Sequence, residues 1–421
     1  PTAIPVPEPT PVPTAIPVPE PTPVPTAVVI AKYSFPAESS STKLTNGLST
    51  KSKKFGISVA IDGDTIITGD SNDSFEGTDS GSASVFNISS DTWIQQAQIT
   101  ADDIYQGYLF GEAVDIDGDT AVIGATGGAK GAVYVFVLRN GIWAQQEKLV
   151  DLATDSSAQF GKSVAISENT MVVGAPTDNA PETSSGSAFV FTRTDDVWGK
   201  VAQLAPSGRI YTLKNNRFGE SVAIDSERIY VGAQGDSSTN GTDSGAVYVF
   251  TLSDGSWVEE AKLHASDGGE GDNFGHSISV FNDTLVVGAP ADDSNGTDSG
   301  ATYVFVRNAT GEWNEEVKLI ASDGAYDDNF GWSVAVGADV AIVGALYANA
   351  NGSDSGSLYT YNRTGTNWSE SSILTGTGTT SNDRLGTSVS ISGNVAVTGA
   401  PGYTEKAKEI GSIHVFTAQL R

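Results

Sequence analysis

The 421-residue sequence predicts an all-β fold, a seven-bladed β-propeller of four-stranded antiparallel blades preceded by an extended polyproline II segment. Three observations predict it. The pair Phe-Gly stands at Phe55, Phe110, Phe160, Phe218, Phe274 and Phe330, and Leu385-Gly386 takes the same place a seventh time, at intervals of 55, 50, 58, 56, 56 and 55 residues. Each interval holds several short apolar runs separated by turn residues, and a period near 50 residues built of short strands marks a propeller or a related array. Glycine is abundant at 47 residues while apolar residues make up only 38%, which suits many tight turns. One such unit cannot bury its apolar faces alone, so its neighbours must complete the core.

Residues 1–26 form a Pro-rich arm. Pro1 to Val12 is repeated as Pro13 to Val24, and 11 of the 17 prolines lie here. Proline fixes φ and removes the N–H donor, so the arm reads as polyproline II, extended at roughly 3.1 Å per residue. The chain begins at Pro1 rather than Met, as expected of a processed, mature chain. Residues 27–421 form the propeller.

Within each repeat, the first strand follows Phe-Gly, as in Ser58-Val59-Ala60-Ile61. A tight turn follows, and Asp62-Gly63-Asp64 and Asp117-Gly118-Asp119 carry the Asp-Gly hairpin signal. The second strand ends in Gly-Ala, as at Gly174-Ala175 and Gly288-Ala289, and its continuous apolar run predicts burial on both faces. The third strand opens with Gly and alternates toward an aromatic, as in Tyr134-Val135-Phe136. The fourth opens with Trp93, Trp143, Trp198, Trp257, Trp313 or Trp368. These tryptophans read as core packing, with a ligand platform as the alternative. The seventh repeat stops soon after its third strand. Residues 27–44 carry a fourth-strand ending, Thr42-Lys43-Leu44, with no blade of their own. Joining the two closes a ring and removes exposed edges.

The Phe-Gly…Gly-Ala-Pro repeats resemble the FG-GAP family, the seven-bladed propeller of integrin α subunits and of many secreted microbial and algal proteins. The resemblance covers about residues 30–421. It implies the propeller fold and a face, carrying the loops before Phe-Gly, that binds ligands. It also implies Ca²⁺ sites between the first and second strands, but Asp115-x-Asp117-x-Asp119 lacks the later ligands that a six- to eight-oxygen site needs. No metal and no cofactor are therefore expected.

The net charge of −28 argues against nucleic acid and anionic membranes. No apolar run is long enough to span a bilayer, so no membrane insertion is expected. With no cysteine there is no disulfide, and three histidines, His264, His276 and His414, give no metal-ligand spacing. No Gly-x-Ser-x-Gly elbow stands on a strand–helix turn. No catalytic residue is assigned; an enzyme such as a polysaccharide lyase is the least favoured reading. The Gly-Thr/Ser-Asp-Ser-Gly loops at Gly77, Gly241, Gly296 and Gly352 read as turn staples, with a weak cation site as the alternative.

Local positive charge is scarcer. Lys51, Lys53 and Lys54 precede Phe55, and Arg209, Lys214 and Arg217 precede Phe218, so both sets fall on one face as candidate partner contacts. Nine Asn-x-Ser/Thr sequons, at Asn72, Asn87, Asn240, Asn282, Asn295, Asn308, Asn351, Asn362 and Asn367, are read as lying in turns or loops that tolerate a glycan. Thr10, Thr14 and Thr22 resemble O-glycan sites of Pro-rich algal and plant wall proteins. The expectation is a secreted, non-enzymatic structural protein that partners itself, in a fibre or surface assembly where the arm of one copy docks on the next. The alternative is a monomeric adhesion or glycan-binding propeller on a Pro-rich stalk.

Overall fold

Alternating and continuous apolar runs of five to eight residues, punctuated by Gly, Asp and Ser, pair into seven four-stranded antiparallel sheets among the described residues of a computed structural model. It describes residues 33–36, 41–47, 54–151, 154, 157–179, 183–206, 215–237, 240–405 and 408–420. The chain divides into two compact units, residues 1–31 and 32–421. The second unit is the propeller; the arm, with Thr10, Thr14 and Thr22, lies outside the described residues.

Blade five shows the common plan: Ser277–Phe281, Thr284–Ala289, Ala301–Arg307 and Trp313–Leu319, paired in that order. Its second strand is buried at every residue, as its unbroken apolar character requires. The tight turn between first and second strands needs a positive φ, supplied by Gly63, Gly118 and Gly393 and by Glu168 and Asn282 in blades three and five. The last blade joins Val389–Ser392, Val395–Ala400 and Ser412–Thr417 to Thr42–Leu44, with Lys43 opposite His414. Tyr33–Ser34 pairs beside it with Gln419–Leu420.

The Phe-Gly pair is the joint between blades. Phe274 is fully buried, meets Tyr303 and Phe305 edge to face, and its backbone bridges Gly245 of the preceding blade. Such aromatic pairs add about 0.5–1.5 kcal/mol beyond the area they bury. Gly275 has φ +90°, and a Cβ there would lie 2.5 Å from the Ala246 carbonyl oxygen. The glycine of Gly-Ala is excluded from substitution for another reason: a Cβ on Gly288 would sit 1.9 Å from the Gly331 oxygen of the next blade. A serine three residues after the phenylalanine completes the joint. Ser277 Oγ donates to the Gly331 carbonyl at 2.8 Å, and Ser58, Ser163, Ser221, Ser333 and Ser388 do the same in their blades; blade two has Ala113 instead.

The acidic loops after the second strand belong to the same joint. Ser299 Oγ donates to the Asp292 carbonyl, and the Ser299 carbonyl accepts the Phe330 N–H at 3.0 Å. Ser80, Ser244 and Ser355 repeat both contacts, and Asp79, Asp243, Asp298 and Asp354 hold the positive φ of the turn. The tryptophans pack inward: Trp93, Trp143 and Trp198 are buried, and Trp257, Trp313 and Trp368 pack on the core while partly exposed.

Candidate functional site

The first strands of the seven blades line a central channel, a cavity of about 320 Å³ walled by Val59, Val114, Val164, Val222, Ile278, Val334, Val389 and their neighbours. Polar residues in it are used for stitching. Asp115 Oδ2 accepts the Ile166 N–H at 2.8 Å, and Ser279 and Ser390 accept Val336 and Ile61 N–H groups in the same way. Burial pushes the Asp115 carboxyl up to about 7, against the stabilising N–H bonds. Asp62 and Asp117 likewise accept the N–H groups of Gly118 and Glu168. Asp115 and Asp117 of the Asp115-x-Asp117-x-Asp119 spacing thus hold neighbouring blades together. Among the described residues, no group of three His, Asp or Glu side chains is placed to hold a metal.

At the Phe-Gly end of the channel, the residue after each Phe-Gly projects into the mouth: Ile57, Glu112, Lys162, Glu220, His276, Trp332 and Thr387. These are the positions where the repeats disagree. Glu112 pairs with Lys162 at 3.2 Å and Glu220 with Arg217 at 3.2 Å. His276 Nδ1 lies 2.6 Å from Gln234 Oε1, and its ring packs on Trp332 with centroids 4.4 Å apart. Burial, then the charges of Lys162 and Arg217, depress the His276 pKa to about 4. The ring is therefore neutral at physiological pH and acts as a platform for Trp332.

Beside Trp332 the rim opens into a cavity of about 430 Å³ between blades six, seven and one. Three turns build it. Lys54 precedes Phe55, and its N–H is held by Asp70 Oδ1 at 3.0 Å. Arg384 precedes Leu385, with φ +57° and its N–H on the Asp354 carbonyl. Tyr347 follows the second strand of blade six, where Leu346-Tyr347 replaces the Pro of Gly-Ala-Pro. The Arg384 guanidinium lies 5.6 Å over the Tyr347 ring. Pro401, Leu346 and Ile57 supply apolar wall, and Ser381, Asn382 and Thr387 supply hydroxyl and amide groups. No carboxylate lines the cavity among its described residues, in a chain with 51 acidic and 23 basic side chains.

A larger cavity of about 810 Å³ opens on the opposite face between blades two and three, among Asp117, Asp119, Glu168, Asp195 and Asp196. Its one cation among the described residues, Arg193, is tied to Asn169 Oδ1 and Thr120 Oγ1 at 2.9 Å each. It is a solvated acidic rim.

Each repeat of the family profile runs from a fourth strand into the third strand of the next blade, offset from the sheets by one strand. FG-GAP repeats match residues 39–86, 93–136, 143–191, 198–250, 257–305, 313–361 and 368–416. The chain belongs to the FG-GAP repeat family. The first match begins at the segment that closes the last blade. No curated protein matches the chain. FG-GAP repeats are typical of extracellular proteins with adhesion-type roles, and their propellers are typically non-enzymatic. Among the described residues, no helix is long and apolar enough to cross a membrane.

The FG-GAP propeller distributes the sequence candidates unevenly. Lys54 lines the 430 Å³ cavity, while Arg217 sits elsewhere on the rim, neutralised by Glu220. Lys51, Lys53, Arg209 and Lys214 lie outside the described residues. Arg384, Trp332 and Tyr347 were not anticipated. The available signal was positional: Arg384 precedes Leu385-Gly386 as Lys54 precedes Phe55-Gly56.

The sequons also divide. Asn282 stands exposed in a turn, and Asn72, Asn240, Asn295, Asn308 and Asn351 lie in loops. Asn87, Asn362 and Asn367 lie in strands, which corrects the reading that all nine fall in turns or loops. The third and fourth strands run further toward their shared hairpin than their polar ends suggest. Asn362 is buried, and its amide reaches Ser34 Oγ at 3.3 Å.

Proposed function

We propose that this FG-GAP propeller is a secreted, non-enzymatic structural protein, a subunit of a homopolymeric surface assembly in which the Pro-rich arm docks on a neighbouring copy. One observation carries the reading. The ring is closed by residues after the arm, with Thr42–Leu44 as the outer strand of the last blade and Tyr33–Ser34 beside it. Among the described residues, the closing strands all lie after the arm, and the duplicated 12-residue unit suits another role. A polyproline II segment is already extended, so docking it costs less ordering entropy than docking a flexible chain. A contact between arm and propeller of successive copies is head-to-tail, and head-to-tail contacts that do not close into rings make filaments. The sequons in turns and loops, such as exposed Asn282, and the arm threonines suit a glycosylated exterior.

The test compares the full chain with a chain starting at Ala27 by sedimentation and electron microscopy. The full chain is expected to form oligomers or fibres, and the shortened chain single propellers. Identical assemblies from both would leave the arm a spacer and defeat the reading.

A second reading, an adhesion or glycan-binding propeller on a Pro-rich stalk, is favoured by the cavity of Trp332, Tyr347 and Arg384, since aromatic faces and cations also suit acidic sugars. Glycan-array binding by a strictly monomeric chain would select it.

A further inference from the structure

The cavity on the Phe-Gly face and the arm carry complementary chemistry. Lys54 and Arg384 are paired with no carboxylate among the described residues, whereas Lys148, Lys162, Lys200, Arg217, Lys262, Lys318 and Arg363 all are. Two cations without carboxylates in a chain of net charge −28 ask for an anion. Trp332 and Tyr347 add flat aromatic surface, and Pro401 and Leu346 add apolar wall. Aromatic-lined grooves are how polyproline II segments are recognised, because proline rings pack on aromatic faces and the bound backbone is already extended. In the arm, the only charges are Glu8 and Glu20, and each is flanked by proline on both sides: Pro7-Glu8-Pro9 and Pro19-Glu20-Pro21.

We propose that this cavity is the receptor for the arm, taking a Pro-Glu-Pro tripeptide of a second copy with its carboxylate on Arg384 and Lys54 and its proline rings against Trp332 and Tyr347. The proposal rests on the assembly reading above and names its site. A carboxylate on Arg384 is a charge-assisted contact and gives the dock its register. The two tripeptides are 12 residues apart, roughly 37 Å at about 3.1 Å per residue in polyproline II, so one arm offers two equivalent docking points. Either serves one cavity at a time, which raises the local concentration of ligand without a second receptor.

The experiment uses the full chain and a synthetic peptide of residues 1–24. The peptide is expected to bind by titration calorimetry and to disperse preformed assemblies. Its Glu8→Gln, Glu20→Gln form, and the Arg384→Gln chain, are expected to bind at least roughly tenfold more weakly. Arg139→Gln, a change at an exposed cation paired with Asp196, is expected to leave binding unchanged.

A charge exchange separates a second copy from the chain's own arm. A chain with Glu8→Lys and Glu20→Lys, and a chain with Lys54→Glu and Arg384→Glu, should each fail to assemble alone while melting like the parent. Mixed together, each arm finds a complementary cavity and assembly should return. Failure of the mixture would overturn the proposal in favour of the chain's own arm. A peptide that binds the Arg384→Gln chain as well as the parent would also overturn it. So would an acidic oligosaccharide that binds in an Arg384-dependent way when the peptide does not. Normal assembly of all variants would sink the cavity as receptor and leave the assembly reading standing. A parent chain that stays monomeric at every concentration would sink the assembly reading, and the peptide titration then decides the cavity by itself.

Discussion

Blade two offers a gain-of-stability test of the joint between blades. Six blades place a serine three residues after the Phe-Gly position, and its Oγ donates to the carbonyl of the next blade's Phe-Gly glycine at 2.7–3.0 Å. Blade two has Ala113, and its acceptor is already in position. The Gly161 oxygen lies 2.0 Å from where a Cβ on Gly124 would sit, as the Gly219 oxygen lies 2.1 Å from that point on Gly174 and the Gly275 oxygen 2.1 Å from it on Gly232. Ala113→Ser should therefore form the seventh bond with no backbone movement. A neutral hydrogen bond of this kind contributes about 0.5–1.5 kcal/mol net, so the variant should gain about 1 kcal/mol. Ser277→Ala should lose a similar amount or more, because it strands the Gly331 carbonyl. Urea unfolding of both variants beside the parent reads the difference in midpoint, with the slope unchanged. A destabilised Ala113→Ser, or a Ser277→Ala that unfolds like the parent, would refute the joint as described.

Three further outcomes follow from charge and burial. Asp115, held near 7 by burial, keeps its proton in the fold when the unfolded chain has already lost it. Its cost to stability thus builds as pH rises from about 4 to about 7, and Asp115→Asn should stabilise at pH 8 and converge on the parent near pH 4 in pH-dependent urea melts. Lys318 bridges Asp267 and the buried Asp292 at 2.8 Å each, so Lys318→Met should cost about 3 kcal/mol or more, whereas breaking the exposed Arg139–Asp196 pair with Arg139→Ala should cost less than about 1 kcal/mol, both read by denaturant unfolding. In chain secreted from a glycosylating host, peptide mapping should find a glycan on exposed Asn282 and none on buried Asn362.

The propeller was legible because repetition multiplies weak signals. One Phe-Gly or one Gly-Ala means little, but seven units with the same order of strands leave few alternatives. The spare Thr42-Lys43-Leu44 at one end and the three-stranded unit at the other pointed to the same closure that the pairing of Lys43 with His414 makes. The cavity was not legible, for a physical reason. Lys54, Trp332, Tyr347 and Arg384 come from three blades, span some 330 residues of sequence, and occupy positions where the repeats differ. Leu346 stands where other blades carry proline, and Tyr347 where they carry Thr177, Ala291 or Gly402. The joint serines were visible as Phe-Gly-x-Ser but carried no meaning until the next blade's carbonyl was placed beside them. Asn362-Arg363-Thr364 reads as a turn by composition, yet pairing with Asn367–Ser369 keeps it in strand.

The repeated residues and the variable ones do different work, and this decides where function can sit. Phe-Gly, the joint serine, Gly-Ala and the acidic turn all meet the neighbouring blade, through buried aromatic contacts, carbonyl bonds or backbone approach too close for a Cβ. Changing any of them disturbs closure of a ring whose units are not stable singly. What the joint leaves unconstrained is the residue before Phe-Gly, the residue after it, and the pair following Gly-Ala, and these are the positions that build the cavity. The molecule's charge then limits what can reach that cavity. Two surfaces of net charge −28 repel at a distance, and salt screens this only beyond about 8–10 Å. A segment with two charges in 26 residues would span roughly 80 Å as polyproline II at about 3.1 Å per residue, enough to bridge that gap between two propellers. A long, proline-rich and nearly neutral arm is therefore the part of this chain best suited to meet the proposed cationic, aromatic site on another copy.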